Sequence, residues 1–208
     1  MLMVRAHHGE LEKQGSETNW FRNPVFVYLP ILETVMTLPH GYLIRPFESR
    51  DLARLQQITV DSFEGVSIDR NMEREFGAFG EGTWADRKAA AIVEDCRVQP
   101  DGVFVAVYSA ETEVVVGYIT TRLQRVSRIG WIPNMAVDPA HQAHGLGHAL
   151  LDHAIGYMRE QGMEIAKIET LEQNPIGQKL YPRLGFVPIA RQIHFAMRLD
   201  SPDDHPAD

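Results

Sequence analysis

The sequence predicts a single α/β domain, a mixed sheet flanked by helices. Three observations carry this reading. Two runs rich in β-branched and aromatic residues, Val103–Tyr108 and Val114–Leu123, flank Ser109–Thr112 and read as a hairpin. Leu146, Leu150, Ala154, Ile155 and Met158 recur at helical spacing. Between a strand over Trp131–Val137 and that helix lies a short turn holding Gly145 and Gly147, the strand–turn–helix unit of an α/β layer structure.

The elements follow in order. Residues 1–40 keep no sustained period and are read as an N-terminal extension. It is either an arm packed through Phe21, Val25, Val27 and Leu29 or sequence upstream of a start at Met36. The domain is expected over 41–199, opening with a strand at Tyr42–Arg45. Glu48-Ser49-Arg50-Asp51 is a helix-entry signal, and Leu52, Leu55, Ile58 and Phe63 continue it as an amphipathic helix. Asp69–Gly82 reads as a polar, glycine-punctuated connection, and Thr83 caps a second helix running to Val93. After the hairpin, Pro133 deforms the Trp131–Val137 strand, because proline donates no main-chain hydrogen bond. The helix from Gly145 ends before Gly162, Glu164–Thr170 is a strand, and Asn174 caps a helix with Pro175 first and Gly185 past its end. Phe186–Ala190 and Ile193–Leu199 are expected as closing strands. The tail 200–208 carries four acids, two prolines and no large apolar residue, and is expected to be disordered.

Composition narrows the function classes. The formal charge is −8, from 20 basic and 28 acidic side chains, which argues against phosphate-neutralising nucleic-acid binding. The charge is uneven. Residues 61–102 hold ten acids and five bases, whereas 103–199 hold eight acids and nine bases. A lone Cys96 permits neither an intrachain disulfide nor a cysteine-rich zinc site. The longest apolar run, Val25–Leu32, is broken by Pro30 and falls far short of the ~20 residues that span a bilayer. A cytoplasmic address and no membrane partner are the expectation.

The stretch Val137-Asp-Pro-Ala-His-Gln-Ala-His-Gly-Leu-Gly-His148 gathers free N–H groups between a buried strand and a helix start. Glycines let a ligand approach the backbone, and the helix's first amides favour an anion such as a pyrophosphate. It is no dinucleotide fingerprint, because Leu150 stands where the third glycine would be, and no P-loop, because no Lys-Ser/Thr follows. Val-Asp-Pro-x-x-Gln-x-x-Gly-x-Gly instead resembles the acetyl-CoA signature of the GNAT superfamily of N-acetyltransferases. The resemblance continues downstream. Asn174-Pro-Ile-Gly-Gln-Lys-Leu-Tyr-Pro-Arg-Leu-Gly-Phe186 is similar to that superfamily's Asn-x-x-(small)-x-x-Leu-Tyr-x-x-x-Gly-Phe segment, so likeness covers roughly 42–199.

The resemblance implies a GNAT-like fold with acetyl-CoA as co-substrate and no metal. It implies that amides of Gln142, Ala143, His144, Gly145, Leu146 and Gly147, with His148, cradle the pyrophosphate. Main-chain groups of Met135, Ala136 and Val137 would pair with pantetheine, and Asn174 and Tyr181 would lie near its arm and sulfur. The chain departs from the common pattern at Gln142, where arginine is frequent, and at Ala143, often glycine. Gln142 removes one positive charge from the phosphate site.

Acetyl transfer from a thioester to an amine needs a neutral amine, a polarised carbonyl and a proton for the thiolate. At pH 7 about one lysine amine in 2,500 is neutral, against about one α-amine in six, so the need for a base depends on the acceptor. Tyr181 is the candidate acid: a phenol of pKa ~10 can hydrogen-bond or protonate a thiolate of pKa ~8.5. Glu169 is the candidate base. On Ala166–Thr170 it shares with Lys167 the face opposite Ala166 and Ile168, and members resembling the ribosomal-protein N-terminal acetyltransferases use a glutamate twelve residues before this tyrosine. A solvated charge beside Lys167 is the competing reading of Glu169. Glu172 is a weaker substitute, and base catalysis through water stays open.

His141, His144, His148 and His153 suggest a metal cluster by number, but no glutamate lies between the one-turn pair His144 and His148, and their loop is assigned to phosphate. His194 reads as a core histidine or an acceptor-side base, and Cys96 as a packing residue. The acid-rich segment 61–102 is expected to help wall the acceptor site, with Asp61, Glu64, Asp69, Glu73 and Glu75 as candidate carboxylates for a cationic amine. Peptide N-termini, lysines and small amines all fit as acceptors, and a homodimer is compatible with the reading. The alternative is an acyl-CoA sensor domain that kept the cradle without turnover.

Overall fold

The computed structural model describes residues 38–109 and 112–199; the expected N-terminal extension up to residue 37 and the acidic tail 200–208 lie outside them. Strand β1 (Tyr42–Pro46) leads through a 3-10 turn into α1 (Leu52–Phe63), α2 (Ile68–Phe76) and α3 (Trp84–Val98). Strands β2 (Val103–Ser109), β3 (Glu113–Thr120), β4 (Arg122–Gln124), β5 (Ile129–Ile132) and β6 (Met135–Val137) follow. The described chain then adds α4 (Leu146–Glu160), β7 (Ile165–Ile168) and α5 (Pro175–Arg183).

Local chemistry accounts for the helix starts. Glu48 and Asp51 form a capping box ahead of α1, and Arg45 of β1 reaches Asp51 at 2.7 Å. Thr83 and Asp86 form another at α3. Helix α2 lies where a connection was expected: Ser67 caps it, and Ile68, Met72 and Phe76 follow at four-residue spacing. Helix α3 runs five residues past the expected Val93, because Ile92 and Cys96 lie on its buried side.

The strands form two sheets, β1-β2-β3-β6, all antiparallel, and β4-β5-β7, in which β5 and β7 are parallel. Two runs of chain pass from one sheet to the other. The ladder of β3 is interrupted at Thr121 before β4, and that of β5 at Pro133-Asn134 before β6. Helices cover both faces. Leu55 and Ile58 of α1 and Ile92 and Cys96 of α3 pack on Val103, Val105, Val107, Tyr118 and Ala136. On the other face Leu146, Leu150, Leu151, Ala154 and Met158 of α4 pack on Phe104, Ala106, Ile119 and Ile132. Strand β2 is therefore buried on both sides, which explains its nearly unbroken apolar run. Tyr118 is fully buried, and its hydroxyl lies 2.6 Å from Thr59 Oγ1, which donates to the Leu55 carbonyl and so accepts from the phenol.

The expected strands Phe186–Ala190 and Ile193–Leu199 do not form. High β-propensity records fit to a paired, half-buried surface, and neither segment has a ladder partner; Pro188 also removes a donor from the first. Val187, Ile189, Ile193, Phe195, Met197 and Leu199 are 65–90% exposed. His194 is exposed as well, not the core histidine expected.

A buried polar knot ties α3 to the interrupted strands. Asp95, 4% exposed, accepts from Thr120 Oγ1 at 3.0 Å, Asn134 Nδ2 at 2.7 Å and Arg122 Nη2 at 2.6 Å. Removing the carboxylate takes the acceptor from the Asn134 amide and the Arg122 guanidinium, while the Thr120 hydroxyl keeps the Asn134 carbonyl at 3.3 Å. Asp95→Ala is expected to cost roughly 3 kcal/mol, discounted for the partial exposure of Arg122. Urea denaturation checks this: the midpoint should fall with the slope unchanged.

Candidate active site

Pro133 opens the sheet. The parallel ladder of β5 and β7 runs from Ile129 and Ile165 to Ile132 and Ile168, and the next residue on the β5 side is proline, which has no N–H to give. Asn134 turns back to β3 instead. Thr120 N–H donates to its carbonyl at 2.9 Å, and its own N–H donates to Thr120 Oγ1 at 3.1 Å. Beyond this point β6 pairs with β3 and leaves β7, so a gap opens between them.

The alternation of an antiparallel ladder decides which main-chain groups face the gap. Asn134 and Asp138 bond to β3, through Thr120 N–H to Asn134 O and Asp138 N–H to Val116 O. Ala136 lies between them in the same phase and pairs with Tyr118, whereas Met135 and Val137 turn their N–H and C=O away from β3. The Val137 carbonyl already accepts from Gln142 Nε2 at 3.1 Å and Ser62 Oγ at 3.2 Å. Of the three residues expected to pair with pantetheine, Met135 thus has both main-chain groups directed to the gap, Val137 keeps its N–H, and Ala136 is committed to the sheet.

The turn after β6 is built to expose amides. Asp138 accepts from Ala140 N–H at 2.8 Å and pairs with Arg54, which fixes the turn's start. Ala143 at φ 65° and Gly145 at φ 77° both adopt the left-handed region, so successive N–H groups swing to one side. The first intrahelical bond of α4 joins Ala149 N–H to Gly145 O, which leaves the N–H groups of Leu146, Gly147 and His148 at the positive end of a 15-residue helix. This cradle fits a pyrophosphate. The Gln142 side chain is turned back onto Val137, and its main-chain N–H donates to the Pro139 carbonyl at 3.5 Å, so its part in the cradle is structural.

The histidines are placed by packing. His141 Nδ1 lies 3.0 Å from the Tyr42 hydroxyl, and the His141 and His144 rings lie against Tyr42, which also packs on Tyr108. His148 pairs with Asp152 at 3.3 Å. His153 meets Phe104 edge-on, and burial pushes its pKa down. Among the described residues no three His, Cys, Asp or Glu side chains converge as metal ligands. Cys96 is buried, and burial pushes its thiol up to about 11.

Helix α5 brings the second motif to the first. A Cβ on Gly147 would come within 3.4 Å of Leu180 Cδ2 and 4.0 Å of Met135 Cε, so the first turn of α4, α5 and β6 meet at that glycine. Asn174 caps α5, accepting from Gly177 N–H at 3.2 Å and donating to Thr170 Oγ1 at 2.9 Å. The small residue of the motif is explained at Gly177, where a Cβ would lie 3.1 Å from Tyr181 Cε2 and 2.8 Å from Thr170 Oγ1. Tyr181 packs among the residues of the α4 face, with Phe186 edge-on. Among the described residues its hydroxyl makes no hydrogen bond, and burial pushes its pKa up.

Glu169 is the first residue past the last ladder pair, at the mouth of the gap. It is half exposed and pairs with Lys167 at 2.6 Å, while the Lys167 ammonium lies over Trp131. Glu172 pairs with Arg191 at 3.4 Å on the surface. Gln173 donates to the Gly65 carbonyl at 3.0 Å and lies against Asn71, so the loop after β7 is tied to the end of α1 and the start of α2. Most of the expected carboxylate wall is occupied. Arg87 holds Glu73 at 2.8 Å and Asp69 at 3.7 Å, Arg70 holds Glu64 at 2.6 Å, and Gln57 donates to Asp61 at 3.0 Å. Glu75 is exposed on α2.

Sequence reasoning missed Lys88, Asp95 and Asn134. Lys88 donates to Asn134 Oδ1 at 2.8 Å and lies 4.2 Å from the Phe63 ring centroid. Residues separated by 39 and 46 positions leave no local pattern, so no signal in the chain announced this group.

Known proteins resemble this chain in sequence and in fold. The chain is 25% identical over 166 residues to a mycothiol acetyltransferase of Rhodococcus jostii, covering 74% of this chain and 54% of that protein. Over 53 residues it is 42% identical to an Escherichia coli ribosomal-protein alanine N-acetyltransferase, covering 26% of this chain and 36% of that one. The chain spans about half the length of the mycothiol acetyltransferases it matches. The fold matches the crystal structure of PaiA N-acetyltransferase from Thermoplasma acidophilum in complex with coenzyme A, with a TM-score of 0.54, 16% identity and coverage of 69% and 87%. It also matches the Escherichia coli ribosomal-protein alanine N-acetyltransferase structure, with a TM-score of 0.52, 21% identity and coverage of 72% and 79%. Residues 66–186, which hold the glycine turn, the gap and α5, match the model of the acetyltransferase (GNAT) family, and the chain belongs to that family.

Proposed function

We propose that the protein transfers an acetyl group from acetyl-CoA directly to a primary amine within a ternary complex. The observation that carries this is the gap between β6 and β7, which opens beside a left-handed turn of exposed amides. A phosphate-bearing thioester fits there, with its phosphates on the Ala143–His148 amides and its arm along the Met135 main chain.

The two faces of the sheet divide the chemistry. Glu169 shares the face of Lys167 and Trp131, which Asp95 joins from α3 and Asn134 from the β5–β6 interruption, while Tyr181 belongs to the α4 and α5 face. The amine enters from the first face, and its nitrogen attacks the acyl carbon. As the C–N bond forms, Glu169, or water in its place, takes the amine proton. As the C–S bond breaks, Tyr181 gives its proton or a hydrogen bond to the departing sulfur. Burial of the phenol keeps it protonated and suits it to that role.

The relatives are named for mycothiol in one case and for a ribosomal-protein alanine in the other, so acceptors of both small-molecule and protein kinds belong in the assay. The test is CoA release from acetyl-CoA across a panel of amines. Acetyl-CoA binding with no release on any amine would overturn the enzymatic reading in favour of a sensor. Tyr181→Phe should lower kcat at least about tenfold with little change in the KM for acetyl-CoA; an unchanged kcat removes it as the acid. Glu169→Gln should lower kcat/KM most at neutral pH, with the loss shrinking as pH rises toward the acceptor's own pKa and the neutral amine accumulates. A loss constant across that range would exclude Glu169 as the base.

A further inference from the structure

The acceptor side of the sheet holds more answered carboxylates than free ones. Glu73 and Asp69 face Arg87, Asp95 faces Arg122, Glu64 faces Arg70, and Glu169 faces Lys167. Lys88 differs from these cations. Its ammonium donates to a neutral amide oxygen, Asn134 Oδ1, and lies over the Phe63 ring, and among the described residues no carboxylate stands within 4.0 Å of it. Asp69 and Asp95 act on it through space, and each is held by an arginine. Burial outweighs both and pushes the Lys88 pKa down, as happens for an ammonium whose counter-charge is missing.

The position bears on the reaction. Asn134 is the residue at which β6 leaves β7, and Phe63 ends α1, two residues before the Gly65 carbonyl that holds Gln173. Gln173 lies four residues after Glu169. The end of α1 thus carries both the ring under the α3 cation and the carbonyl that holds the loop following Glu169.

We propose that the acceptor is an amine that also carries a carboxylate a few bonds from its nitrogen, and that Lys88 binds that carboxylate. This rests on the acetyl-transfer reading. It departs from the simple cationic amine that the acidity of 61–102 suggested, because the acids of that segment are largely paired within the fold. The Asn134 amide and the Phe63 ring hold the ammonium in place, so a single carboxylate can bind it without ordering a long side chain.

The experiment compares free amino acids with the same amino acids as carboxamides, by CoA release. The amide's amine is more readily neutral, so reactivity alone favours the amide. A higher kcat/KM for the acids supports the proposal, and the gap should be about tenfold or more, as for a charge-assisted pair. Lys88→Met should collapse the acid-over-amide ratio toward unity through KM, and Lys88→Arg should restore part of it. Equal use of acids and amides by the wild-type protein overturns the proposal without recourse to any variant. An unchanged ratio in Lys88→Met, or a kcat loss shared by all acceptors, also overturns it and assigns the charge elsewhere. Turnover without acid preference sinks this inference alone; no turnover on any amine sinks the acetyl-transfer reading with it.

Discussion

A missing hydrogen-bond donor organises the molecule. Pro133 ends the β5–β7 ladder, and everything that makes the site follows from where the chain goes next. Asn134 must satisfy its main chain on β3, which turns Met135 outward, which opens a gap at the level of Glu169. A proline inside a strand would ordinarily be a fault to tolerate. Here a network of buried side chains surrounds it, and the residue that loses the ladder gains Asp95 and Lys88 as partners.

Because Asp95 also holds Arg122 and Thr120, one helical carboxylate secures both interrupted runs of chain, β3 to β4 and β5 to β6. The sheet thus divides without fraying. The helices then take separate duties: α1 and α3 cover the face with Asp95 and Lys88, and α4 and α5 cover the face with the glycine turn and the Tyr181 phenol. Gly147 is the contact at which the cradle, the gap-facing strand and α5 are brought to one place.

Much of this was legible in the chain, for reasons that can be named. The caps at Thr83 and Asn174, the glycine after α5 and the hairpin strands are local signals, and each appears where it was read. Helix α2 had a signal, Ile68, Met72 and Phe76 behind a serine cap, that its polar residues and the glycines after it obscured. The closing strands failed because alternation reports what a segment could pair with, not whether a partner is there. Around the candidate site, the glycine turn and the α5 segment are legible as local motifs, whereas the acids of 61–102 were ranked by number. Their pairing with Arg87 and Arg70 depends on side-chain geometry that a charge count does not contain.

Ala143 has a consequence for the thermodynamics of ligand capture. An alanine in the left-handed region costs roughly 1–2 kcal/mol that a glycine would avoid. The same Cβ restricts the turn's alternative conformations, so fewer states are lost when an anion settles on its amides. Under the proposed function, the turn exchanges conformational strain in its backbone for a smaller entropy loss on binding.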